Sequence, residues 1–274
     1  MLNLFQHLMF MQSSNKEIPK QLCIQAHSSS LRCGGSLCKV RNDNRVCAFT
    51  LAEVLITLVI IGVVAALTIP NLMQKYTEQT TVKKVQKFYS NLANAYALAR
   101  KENGPVSDWN LDGRTAKSSA KIYEILFKPY FKISKNCILN KNEKCIANVN
   151  YKSINGSNQY LYNSNNLFYK IVLDDGAAVW WSSTDDNTTI YINYDVNGVK
   201  EPNKWGVDTF EFQIKKEKVF PAGTGIVFTI SYHCNPNTSF TGGGLYCTYW
   251  VIYKGNMDYL HCNDLSWTGK DRCK

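Results

Sequence analysis

Residues Phe49 to Ile69 read FTLAEVLITLVIIGVVAALTI, an apolar run broken by one charge, Glu53. As an α-helix this run is ~31 Å long, which matches the hydrocarbon core of a bilayer. A chain carrying such a run must bury it in lipid or among other apolar helices. A secretory signal has a shorter apolar core, no carboxylate inside it and a small-x-small cleavage site behind it. Ala65 and Ala66 make a poor site of that kind.

Charge bias does not orient the span, because Lys39, Arg41 and Arg45 precede it while Lys75, Lys83, Lys84 and Lys87 follow it. The cysteines do. Four of the ten, Cys23, Cys33, Cys38 and Cys47, lie before the run. The remaining Cys137, Cys145, Cys234, Cys247, Cys262 and Cys273 lie in a stretch rich in Tyr, Asn, Gly and Ser. An even set in such surroundings implies disulfides and an oxidising compartment, so the C-terminal side is expected outside the cytoplasm. The simplest pairing joins neighbours, Cys137 with Cys145, Cys234 with Cys247 and Cys262 with Cys273, while other connectivities stay open. Cys33 and Cys38 lack the CxxC spacing of a zinc site.

Glu53 needs an explanation, because an ionisable group within a span costs on the order of 2–3 kcal/mol and usually has a partner. No basic residue lies near it on the helix. A cut just before Phe49 would create a charged α-amino group one helical turn away, within reach also of a neighbouring helix.

The stretch AFTLAEVLITLVIIGVVAALTIP resembles the N-terminal region of type IV pilins and type II secretion pseudopilins, with Phe49 as the new first residue and Glu53 as the fifth. Gly62 and Pro70 fall where that family's long helix commonly has Gly and Pro. The resemblance implies a prepilin peptidase that cuts between Ala48 and Phe49 and methylates the new terminus. It also implies a role for Glu53 in registering incoming subunits, and assembly of Gly62- and Pro70-bearing helices into a filament core. Expected partners are therefore the peptidase, an inner-membrane assembly platform and other pilin subunits. The expected location is the bacterial cytoplasmic membrane and then the cell surface or pilus. Two departures are Ala48, where the family usually has Gly, and the length of the leader, residues 1–48. A start at Val40 would leave the short basic leader VRNDNRVCA.

Residues 49–70 then form the transmembrane half of a helix and 71–103 an amphipathic half. In the second half Leu72, Tyr76, Val82, Val85, Phe88, Tyr89, Leu92, Tyr96 and Ala99 recur near helical spacing, opposite Lys75, Glu78, Lys83, Lys84, Lys87 and Arg100. Asn103-Gly104-Pro105 ends it, and Pro70 is expected to kink it. The aromatic stripe is expected to pack on the protein's own sheet rather than on a ligand.

Residues 104–274 read as an α+β body: an antiparallel sheet with disulfide-stapled loops, laid on the helix. A short helix is expected within Lys117 to Lys132, broken before Pro129, followed by a loop carrying Cys137 and Cys145. Strands are expected at Asn166 to Leu173, Ala177 to Ser183, Thr188 to Tyr194, Asp208 to Ile214, Ile226 to Tyr232 and Tyr246 to Tyr253. Asp174-Asp175-Gly176 is the turn between the first two.

The segment YDVNGVKEPNKWGVDTFEFQI also resembles pseudopilin bodies, in some of which a nearby loop holds calcium. Asp195, Asn197 and Asp208 are the candidate donors, but three fall short of the six to eight oxygens calcium takes, so turn structure is the expected role. No cofactor is expected. His233-Cys234 and His261-Cys262 hint at zinc, less plausible in an exported body. Trp180, Trp181, Trp205, Trp250 and Trp267 are expected in core or interface packing rather than on a glycan.

Catalysis is not expected. After Phe49 the only histidines are His233 and His261, and no H-E-x-x-H, G-x-S-x-G or phosphate loop is present. After residue 48 the chain carries 25 Lys/Arg against 19 Asp/Glu, a mildly basic body. A tip adhesin or DNA-binding minor pilin is the alternative, with Lys215, Lys216 and Lys218 as the one compact basic feature. A membrane-anchored exported enzyme is the remaining one. Pilus, secretion pseudopilus and competence filament stay open, because all three share the N-terminal rule.

Overall fold

A computed structural model describes residues 50–137, 144–147, 149–158, 169–225 and 229–273. The chain divides into two units, Met1–Leu67 and Thr68–Lys274. One helix, α1, runs Leu51–Asn103 for 53 residues with Pro70 inside it. It stops where the sequence predicts, at Asn103, with Gly104 at φ +76, a conformation that costs glycine little.

In the first unit the helix is bare. No residue of its most apolar window is buried, and Val59, Ile61 and Leu67 are each about two-thirds exposed. Length and composition suffice for a membrane span.

The second unit holds the core. Val82, Val85, Phe88, Leu92, Ala95, Tyr96 and Ala99 are buried along one face of α1, while Leu72 and Tyr76 of the expected stripe stay exposed. They face a six-stranded antiparallel sheet whose order follows the sequence: β1 Ile133–Cys137, β2 Tyr169–Leu173, β3 Ala178–Ser183, β4 Thr189–Asp195, β5 Thr209–Lys215 and β6 Lys218–Pro221. Phe88 stacks on Tyr194 at 4.1 Å between ring centres and leans on Phe212 at 5.4 Å. A short helix, α2 (Ala116–Ile122), begins at Thr115, whose hydroxyl accepts the Ser118 N–H. It continues as one wide turn over Tyr123–Phe127. Its Ser119 carbonyl accepts the Trp181 indole N–H at 2.9 Å, fixing it to the sheet.

The other sheet face is covered as well. Ala178 and Trp180 pack there with Ile146, Ala147, Tyr151 and Trp205. That is why β3 is buried at every position rather than at alternate ones. Trp180, Trp181, Trp205 and Trp250 are fully buried, and Trp267 is half-buried against the core.

Strands β2 to β5 lie where the sequence predicts, although residues 166–168 of the first fall outside the described residues. Two expected strands are corrected. Tyr246 to Tyr253 is instead helix α4, Cys247–Lys254, after a helical turn α3, Ile230–His233, in place of the strand expected at Ile226 to Tyr232. Residues 226–228 of that strand are outside the described residues. The β-forming composition is overridden by spacing. Cys247, Trp250 and Val251 turn inward at i, i+3 and i+4, while Tyr253 stays exposed, its ring tilted against the half-buried Tyr249 at 4.4 Å. Two strands were not foreseen. β1 is polar, and β6 follows a tight turn made by Lys216 and Glu217 at φ +46 and +61, where Asn-Gly would be the usual signal.

Gly255 closes α4 in the left-handed region, its N–H donating to the Val251 carbonyl. A Cβ there would meet nothing closer than Gln86 Nε2 at 3.6 Å. Gly255→Ala should therefore cost only the conformational term, about 1 kcal/mol, read as a small fall in the denaturant midpoint with an unchanged slope.

Candidate functional site

Ala48 and Phe49 lie outside the described residues, and the described chain opens at Thr50. There the helix starts with a reciprocal pair. The Thr50 N–H and hydroxyl both donate to Glu53 Oε2 at 2.9 Å, and the Glu53 N–H donates back to Thr50 Oγ1 at 3.2 Å. This is a capping box, T-x-x-E, which satisfies donors that a helix start leaves open. It was legible in the sequence as Thr50-Leu51-Ala52-Glu53. It gives the carboxylate a local partner. Gly62 has nothing within 4 Å of where a Cβ would stand, so its surface is free for close approach.

Asp195, Asn197 and Asp208 do come together, at the loop between β4 and β5. Asp195 Oδ1 accepts the N–H groups of Asn197 and Gly198 at 3.1 and 3.0 Å, and its Oδ2 accepts the Tyr151 hydroxyl at 2.8 Å. Asp208 Oδ1 accepts the Lys204 N–H and the Thr209 hydroxyl, and its Oδ2 accepts the Asn203 N–H and the Asn197 side-chain amide. Each carboxylate oxygen is thus already an acceptor. The Asn197 and Asn203 side-chain oxygens are buried without a partner, yet adding Asn203 to the three candidates still leaves the side chains short of a calcium shell. What these acids do chemically is hold two turns in register. Burial, with Asp208 close by, pushes Asp195 up to about 8, and burial raises Asp208 as well. Among the described residues no group of three His, Cys, Asp or Glu converges as metal ligands.

A further acid was missed from the sequence. Glu211 of β5 is buried opposite Asn193 of β4, its Oε1 accepting a hydrogen bond from Gln213 Nε2 at 3.1 Å. Burial pushes it up to about 7. The side-chain oxygen of Asn193, the residue opposite Glu211 in the register, is buried without a partner.

Disulfides join Cys137 to Cys145, Cys234 to Cys247 and Cys262 to Cys273. Both histidines sit beside these bridges without forming a metal site. His233 packs among Tyr232, Phe240 and Tyr246, while His261 Nε2 lies 2.9 Å from both oxygens of Glu78. Lys215, Lys216 and Lys218 border the β5–β6 turn, with Lys215 over the Phe220 ring.

Residues 43–69 match the family model described as the prokaryotic N-terminal methylation motif, and residues 71–225 match a family of unknown function, DUF6613. The chain is also similar to "Competence protein ComGC" of Streptococcus pneumoniae strains TIGR4 and R6. In each case it is 34% identical over 82 residues, 29% of this chain and 76% of the relative. No solved structure matches. A methylation motif on an apolar helix, continuing into an antiparallel α+β body, places the chain in the type IV pilin-like family, and its residues 71–225 belong to the family of unknown function DUF6613.

Proposed function

We propose that this protein is a structural filament subunit without catalytic activity. It is made as a precursor in the bacterial cytoplasmic membrane, with its disulfide-stapled body exported. Prepilin peptidase cuts between Ala48 and Phe49 and methylates the new terminus, and an assembly platform then draws the subunit into a helical filament of sister pilins at the cell surface. The observation that carries this reading is the bare apolar helix of the first unit, coincident with the methylation motif and bearing one carboxylate near its start. Such a surface is stable in lipid before assembly and among sister helices afterwards. Head-to-tail contacts that do not close would make the polymer an open helix. The similarity to a competence protein favours a competence filament over a secretion pseudopilus.

The test is the N-terminal residue and intact mass of the protein from native membranes or sheared filaments. An N-methylated phenylalanine at Phe49 is expected. An uncut chain, or one cut after Ala66, would sink the reading.

A further inference from the structure

The lysines that follow the span have no part in the filament reading, and they oppose the usual bias, which gathers Lys and Arg on the cytoplasmic side. In the second unit two of them line a groove of about 820 Å³. One wall carries Lys75, Glu78 and Lys83 of α1, and the other Asp258 and His261 together with Arg272 of the loop closed by Cys262–Cys273. The size is that of a small-ligand site.

The groove's two acids are already engaged. Glu78 is held by His261, and Asp258 Oδ2 accepts the Cys273 N–H at 2.7 Å. Lys75, Lys83 and Arg272 are solvent-exposed, and none has an ion-pair partner among the described residues. Lys84, by contrast, donates to the Val196 carbonyl and serves the fold. Three unpaired cations against two hydrogen-bonded carboxylates leave the groove with a surplus of one positive charge before His261 is counted. That set fits a singly charged phosphodiester.

Position selects the source of that phosphate. Lys75 follows Pro70 by five residues, a stretch that even fully extended reaches no more than ~18 Å. A membrane-embedded span thus keeps the groove's edge at the lipid headgroups. We infer that this groove binds the headgroup of an anionic glycerophospholipid, of the phosphatidylglycerol kind, in the exported leaflet before the subunit is extracted. The inference rests on the membrane stage of the proposed function.

The test uses the full processed chain in nanodiscs of equal phosphatidylglycerol and phosphatidylcholine, with retained lipids counted by native mass spectrometry. Wild type should retain phosphatidylglycerol over phosphatidylcholine by about tenfold, since each Lys or Arg at the surface attracts anionic lipid appreciably. Lys75→Gln/Lys83→Gln/Arg272→Gln should lose that preference. Lys215→Gln/Lys216→Gln/Lys218→Gln, with the same charge removed from the β5–β6 hairpin, should keep it. Lys75→Gln/Lys83→Gln, which leaves the stapled loop untouched, should lose at least half. An inserted wild type without preference, or a triple groove variant that keeps it, overturns the inference while leaving the membrane reading intact. A chain that does not enter the disc overturns both. Inorganic phosphate held in detergent without any lipid preference in the disc overturns the lipid source.

Discussion

Glu211→Gln should stabilise the folded body by about 2–3 kcal/mol at pH 8 and change it little at pH 4.5. Glutamine keeps the shape of the side chain, still accepts from Gln213, and can donate to the Asn193 oxygen that is buried without a partner. In the wild type that donation is open only to the protonated acid. Burial raises the folded-state group from 4.5 to about 7, so the stability linked to its proton is fully present below pH 4.5 and is lost as pH rises through 7. Asp195, raised from 3.8 to about 8 by burial and by Asp208, acts with the same sign over a window extending to pH 8. Wild type should therefore weaken from pH 5 to pH 8, and Glu211→Gln should flatten part of that slope. Denaturant unfolding of the full chain in detergent, followed by the emission of the buried tryptophans, reads both effects. A variant weakened equally at every pH would mean that the carboxylate is ionised and needed as an anion.

The sequence marked the long helix well, because an apolar run followed by a 3.6-residue stripe leaves few alternatives and Asn103-Gly104-Pro105 ends it. It marked β2 to β5 because β-branched and aromatic runs lie between turn residues. The failures have separate physical causes. Tyr246 to Tyr253 has strand composition but helix spacing, and composition was followed where the i, i+3, i+4 burial of Cys247, Trp250 and Val251 decides. β1 is a polar edge strand whose partner, not its residues, makes it a strand. Glu211 alternates with Phe210 and Phe212, which reads as one buried and one wet face. Only the tertiary covering of both faces, with Thr248 of α4 receiving the Glu211 N–H, encloses it. The acids of the β4–β5 loop were found by residue type, but their role depends on which backbone N–H groups reach them, and that is not written in spacing.

Glu53→Gln should reduce incorporation of the subunit into filaments by at least tenfold while leaving membrane insertion intact, and Thr50→Ala should leave both intact. The two substitutions separate the cap that the geometry shows from the registering role proposed for the same carboxylate. As the second half of a capping box Glu53 accepts from the Thr50 N–H and hydroxyl, and glutamine can accept both as well. Loss of the cap through Thr50→Ala costs about 1 kcal/mol of helix stability, little for a helix that lipid already supports. As a charge, by contrast, Glu53 has no substitute in the span, and a carboxylate facing the α-amino group of a neighbouring subunit in an apolar core gains far more than it would in water. Removal of the acid leaves that cation buried and unpaired, a defect of several kcal/mol repeated at every subunit of the polymer. The measurement is the ratio of sheared-filament to membrane-retained protein in cells expressing each variant beside a wild-type control. If Thr50→Ala fails as badly as Glu53→Gln, the cap is the essential feature and the charge is incidental. If both assemble normally, the carboxylate has no part in subunit registration.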